Sequence, residues 1–93
     1  MKSMQVDVLS EVSNCPVVQM PGRRYPGIVI QGDTLRTLLA DVEDVAVLCG
    51  DVGKPELSDA VTGIKEALIG YVRVYEEAMK EAGRSLPYAN PEV

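Results

Sequence analysis

Residues 55–83, PELSDAVTGIKEALIGYVRVYEEAMKEAG, decide the fold. In this stretch Leu57, Val61, Ile64, Leu68, Tyr71, Tyr75, Ala78 and Ala82 recur at steps of four and three, the repeat that keeps one seam of a helix turned toward a neighbour. Pro55 suits the first helical position and Gly83 the end. A helix of this length spans roughly 43 Å, against about 30 Å for a compact domain of this size, so it is expected to project.

Beside the first seam lies a stripe of mostly small residues, Ala60, Gly63, Ala67, Gly70 and Val74, displaced by roughly 110°. With Val72 and Met79 the two stripes cover roughly 200° of the circumference, twice the arc that one neighbour hides. Glycine within a helix costs about 1 kcal/mol relative to alanine, so Gly63 and Gly70 on one face point to a backbone approaching closely there. Two packings meet that demand. Either the rest of the chain fills both stripes, or a symmetric mate fills one. The wide arc and the overhang point to a homodimer, with Gly63, Ala67, Gly70, Tyr71, Val74 and Tyr75 at its interface.

Upstream, Asp33 is placed to cap a first helix, which carries Leu35, Leu38, Leu39, Val42, Val45, Ala46 and Cys49 at helical spacing and is expected to stop at Gly50. Before it the period is two: Met4, Val6, Val8 and Val12 alternate with Gln5, Asp7 and Glu11. Ser13 and Asn14 turn the chain into a strand over Cys15 to Met20, and PGRRYPG (21–27) leads to a third over Ile28 to Gln31. The alternation assigns Val6, Val8, Val18, Met20, Ile28 and Ile30 to the covered side of the sheet. The predicted fold is therefore α+β: a three-stranded antiparallel β-meander followed by two α-helices on one face (β-β-β-α-α), the second long. Residues 1–86 form a single domain, and 87–93 form an extended or disordered tail.

Composition fits one ordinary globular domain: 93 residues, 46% of them hydrophobic and 25% charged. With neither Phe nor Trp, the core must be aliphatic. The chain has no His, which removes the usual acid/base near neutral pH, every His-dependent triad and every His-containing zinc site. Its net charge of −5 opposes nonspecific attraction to nucleic acid or to anionic membrane. The charge is uneven, with a slight basic excess before Leu38 and a strong acidic excess after it. Asp7 and Glu11 break up any apolar leader and no long apolar run follows, so a soluble, cytoplasmic protein is expected. Cys15 and Cys49, without CxxC spacing, read as reduced thiols.

Few residues offer chemistry. Gly50-Asp51-Val52-Gly53-Lys54 falls short of a phosphate-binding loop, because its first glycine is misplaced, Pro55 stands where Ser or Thr should hold magnesium, and a helix precedes it. It reads as an interhelical turn. The acids Asp41, Glu43 and Asp44, and Glu76, Glu77 and Glu81, mostly face away from the apolar stripe and read as hydrated surface, with no metal or cofactor implied. In PGRRYPG two guanidinium groups and Tyr25 share a stiffened turn. Such a group pairs with an anion or an acidic segment, or else is a solvated turn clamped to carboxylates of the same chain such as Asp33.

The composite PGRRYPGIVIQGDTL (21–35) resembles a signature of short uncharacterised bacterial proteins, a domain of unknown function in which a Pro-Gly-basic-aromatic-Pro-Gly turn precedes an I-Q-G-D junction. The resemblance covers about residues 4–40 and implies no activity. It directs attention to Gly22, Arg23, Tyr25, Pro26, Gly27, Gln31, Gly32 and Asp33.

The expected function is that of a non-enzymatic interaction or regulatory protein, homodimeric through its long helix, with a basic protein as a further partner by charge complementarity. The alternative is a binder of small anionic ligands. It would use Arg23, Arg24 and Tyr25, with Gln31 and Asp33 nearby in sequence and the N–H groups of Thr34 and Leu35 opening the first helix.

Overall fold

The computed structural model describes residues 2–92. Its elements follow the order β1 (Asp7–Ser10), β2 (Val17–Gln19), β3 (Gly27–Ile28), α1 (Gly32–Val52) and α2 (Pro55–Glu81). This is the expected three-stranded antiparallel sheet followed by two helices, the second longer. The chain divides after Gln31 into two compact units, the sheet and the helices, each described by itself.

The sheet is an antiparallel meander in the order β1-β2-β3. Its strands are shorter than the alternating stretches of sequence. In β1, Val8 opposes Val18 while Ser10 opposes Val17, so Leu9 is an extra residue that bends the strand. Across the other ladder Val17 pairs with Ile28 and Val18 with Gly27. Directly opposed residues share a face, so Ile28 lies with Val17 and not with Val8 and Val18 as the alternation implied. Gly27 enters the strand and moves the register by one residue, which turns every side chain to the other side.

Helix α1 runs two residues past Gly50. Its end falls to Gly53, whose φ of +73° puts it in the left-handed region that glycine enters without cost, and to Pro55. The proline ring bars a helical conformation at the preceding residue and leaves Lys54 extended, at φ −109° and ψ 102°. At its far end α2 closes two residues before Gly83. There the N–H of Gly83 donates to Lys80 O at 3.1 Å and that of Arg84 to Met79 O at 2.9 Å, with Gly83 at φ +68°. This pair of bonds satisfies carbonyls that the last turn leaves open.

The short Gly53-Lys54 connection folds α2 back on α1 as an antiparallel hairpin. Leu39 and Cys49 of α1 and Val61 and Val72 of α2 are its buried apolar residues. Half-buried Val42 and Ala46 lie between the first pair, and Lys65 and Leu68 between the second. The seam that the sequence draws along α2 therefore splits. Val61, Leu68 and Tyr75 turn inward, while Leu57, Ile64 and Tyr71 stay exposed, and the centre of the packing is Val72. One neighbour covers one line of a helix, and here that line runs through positions 61, 65, 68, 72, 76 and 79, with the lysine laying its aliphatic stem along it.

The helices come close at Gly32, where an added Cβ would run into the ring of Tyr75. Gly63 and Gly70 have nothing within 4 Å. Gly32→Ala is accordingly expected to lower stability by about 1–3 kcal/mol through overpacking, whereas Gly50→Ala, with open space around it in the helix, is expected to raise stability by about 1 kcal/mol. Urea midpoints of the two variants read the opposite signs.

Candidate functional site

The hairpin has two flat sides, and helical geometry separates them. A position one residue before each inward-facing one is rotated by about 100°, and in an antiparallel pair that rotation carries both helices' residues to the same side. Before Leu39, Ala46 and Cys49 stand Leu38, Val45 and Leu48, and before Val61, Lys65, Leu68 and Val72 stand Ala60, Ile64, Ala67 and Tyr71. All seven are exposed and apolar, Ile64 by 56% and Tyr71 by 64%. On this side Asp41 alone interrupts the pattern on α1, one residue before Val42.

Positions one residue after the inward ones define the opposite side, where Val47, Arg73, Glu77 and Lys80 are exposed and Ala40 and Ile69 half-buried. Arg36 and Ala40 of α1 and Lys80 of α2 lie at the end of it where α1 begins and α2 finishes, beside Glu76 on the inward line. The segment after Gly83, which the sequence marks only as a tail, runs back over them. Glu76 is only 4% exposed although charged. The Tyr88 hydroxyl donates to its Oε2 at 2.7 Å, and the Glu92 backbone N–H donates to Oε1 at 2.8 Å and Oε2 at 3.0 Å. Arg36 supplies the positive charge: its Nε donates to Asn90 O at 3.4 Å, and its guanidinium lies 3.4 Å from Glu43 and 4.0 Å from Glu92. Burial, together with the hydrogen bond to the Glu76 carboxylate and its charge, pushes the Tyr88 hydroxyl well above the ordinary tyrosine value, because ionisation there would strand a second negative charge.

The structure distributes the residues singled out from sequence unevenly. Gly63, Ala67, Gly70, Tyr71 and Val74 are all exposed on α2, Val74 by 71%. Tyr75 departs from that group and turns inward to Gly32. Arg23, Arg24 and Tyr25 are exposed in the β2–β3 turn, with the Arg24 guanidinium 5.2 Å from the centre of the Tyr25 ring. Gln19 Nε2 holds that turn by donating to Arg23 O at 2.7 Å and Met20 O at 3.2 Å. Gln31 is an exposed residue at the end of the sheet unit. Asp33 belongs to the helical unit, where its carboxylate accepts from the Thr34 N–H at 2.9 Å and its carbonyl from the Thr37 hydroxyl at 3.0 Å.

Sequence reasoning passed over Arg36, Tyr88 and Glu92, and its reading of Glu76 as hydrated surface is corrected by a carboxylate that is buried under the returning chain. One signal was present: Glu76 stands four residues after Val72 and three before Met79, an acid on the inward line.

The opening signature and the helical half meet in one family match that spans residues 1–88. The chain belongs to DUF6959, a family of unknown function. No curated protein and no solved structure matches it. The match takes in both units of this DUF6959 chain and reaches Tyr88, so the turn at Arg23, the exposed side of the hairpin and the tyrosine on Glu76 all fall inside it. Among the described residues, no helix is long and apolar enough to cross a membrane.

Tyr88→Phe removes one hydrogen bond to the buried Glu76 carboxylate, and is expected to lower stability by about 1–3 kcal/mol at neutral pH. The raised Tyr88 value also sets a sign. The unfolded chain releases this proton near pH 10 and the folded chain only higher, so stability falls as pH climbs past about 10. Urea midpoints from about pH 8 to about pH 11 should drop more steeply for the wild type than for Tyr88→Phe.

Proposed function

We propose that the chain is a non-enzymatic interaction or regulatory protein of the bacterial cytoplasm, and that it works as a homodimer through the exposed apolar side of its hairpin. One observation carries this reading. Apart from Asp41, the exposed residues before the inward positions are apolar on both helices and lie on a single side.

Size supports it. With α1 at roughly 31 Å, α2 at roughly 40 Å and each helix about 10 Å wide, the side offers on the order of 700 Å². That approaches the roughly 800 Å² per partner of a standard interface and exceeds the usual apolar patch of a monomer. Spacing supports it too. Leu38, Val45 and Val52 on α1, and Leu57, Ile64 and Tyr71 on α2, repeat every seven residues, the period of helices packed in bundles, so two hairpins placed face to face make a four-helix bundle about a two-fold axis. Gly63 and Gly70 lie at the rim of that side, where their lack of a side chain lets a mate's backbone come near. The remaining surface of residues 38–93 is rich in acids, which suits a basic protein as an onward partner.

Sedimentation equilibrium at micromolar concentration is expected to return a dimer. Ile64→Glu with Tyr71→Glu should weaken association by at least about tenfold, roughly 1.4 kcal/mol, and leave the helical circular dichroism in place, because both side chains are exposed in the single chain. Gly70→Leu should act in the same direction. A wild-type chain that sediments as a monomer throughout that range removes the reading.

A second reading rests on the β2–β3 turn, where Gln19 holds the backbone and Arg24 stacks on Tyr25, an arrangement that suits a small anion. Thermal shift with phosphate, sulfate and carboxylates separates the two. Stabilisation that disappears in Arg23→Ala/Arg24→Ala supports the anion site, and no shift with any anion ends it.

A further inference from the structure

The side of the hairpin beneath the tail carries an inference independent of the dimer. Residues 86–92 lie across it as an irregular stretch of chain with hydrogen bonds to Arg36 and Glu76. Leu86, Tyr88 and Glu92 are half-buried, and Pro87, Ala89, Asn90 and Pro91 are exposed, so this segment places no side chain in the hairpin's own core. What the helices read in it is specific: a hydroxyl donor at Tyr88 and a backbone donor at Glu92 for the two oxygens of Glu76, and a carbonyl at Asn90 and a carboxylate at Glu92 for Arg36. Pro87 and Pro91 flank the tyrosine and limit the freedom that docking removes.

The fit is also incomplete. A cleft of about 310 Å³ remains beside Asp33, Arg36, Ala40 and Tyr88, and another of about 320 Å³ beside Glu76, Lys80, Leu86 and Pro91. The segment starts just beyond Gly83, a left-handed residue at which the chain leaves the helix direction.

We propose that this side of the hairpin is a peptide-binding groove. Its ligand class is a proline-flanked segment with a tyrosine and, four residues later, a glutamate, presented by another protein, and the chain's own residues 86–92 occupy it in cis. The Glu76 carboxylate selects the tyrosine hydroxyl, since a phenylalanine offers no donor and a phosphotyrosine would bring two negative charges together. Arg36 selects the acid. An incoming segment must displace the resident one, so affinity in trans is set by how readily the tail lifts.

The experiment uses the full-length chain bearing Tyr88→Ala and Glu92→Ala, which removes the tail's two side-chain anchors and keeps both helices. The probe is a fluorescent peptide of sequence SLPYANPEV, residues 85–93, followed by anisotropy. The double variant is expected to bind it saturably, the wild type at least about tenfold more weakly because its groove is filled, and the double variant with Glu76→Ala added at least about tenfold more weakly as well. A peptide with alanine in place of the tyrosine should lose binding to a similar degree. No saturable binding to a double variant of native helical content overturns the proposal, as does binding that Glu76→Ala leaves unchanged. Loss of helical circular dichroism in the double variant overturns it too, since the tail would then be part of the fold rather than a ligand for it.

Discussion

A helix packed against a single neighbour hides about 100° of its surface, and in the helical unit that limit governs everything else. Leu39, Cys49, Val61 and Val72 fill the line where α1 and α2 meet. The apolar content of both helices exceeds what one line can hold. The surplus does not scatter, because the antiparallel arrangement carries Leu38 and Val45 to the same side as Ile64 and Tyr71. An organised surplus of this kind separates an interaction surface from the ordinary exposed leucine or valine.

The two sides of the hairpin thus solve different problems. On one side the chain meets its own polar atoms with its own tail, which gives the buried Glu76 carboxylate a hydroxyl and a backbone N–H donor. On the other side the exposed residues Leu38, Val45, Leu48, Ala60, Ile64, Ala67 and Tyr71 are apolar, with Asp41 among them.

The sheet unit is less committed. Its ladders are short, β1 carries a bulge at Leu9, and Met4, Val6, Val8, Ile28 and Ile30 remain exposed. Its best-defined feature is the turn at Arg23, where one glutamine side chain holds two carbonyls and an arginine stacks on a tyrosine.

Element order and helix ends were legible in the residues themselves. Pro55, Gly53 and Gly83 punctuate the chain through local backbone geometry, which requires no partner, although Gly50 was read as a stop because glycine within a helix and glycine after one look alike until φ is known. The apolar excess of α2 was legible as well, as a width of arc. Which line of that arc would face α1 was not: Val72 and Lys65 lie on it, while Ile64 and Tyr71 do not, and the choice rests on how the two helices fit, including a Gly32–Tyr75 approach 43 positions apart. Beyond the placing of Glu76 on the helical period of Val72 and Met79, the Arg36, Glu76, Tyr88 and Glu92 cluster belonged to the tertiary structure. Each member is an ordinary polar residue in its local setting, and only the return of the chain over the hairpin sets tyrosine and backbone N–H against a carboxylate shielded from water.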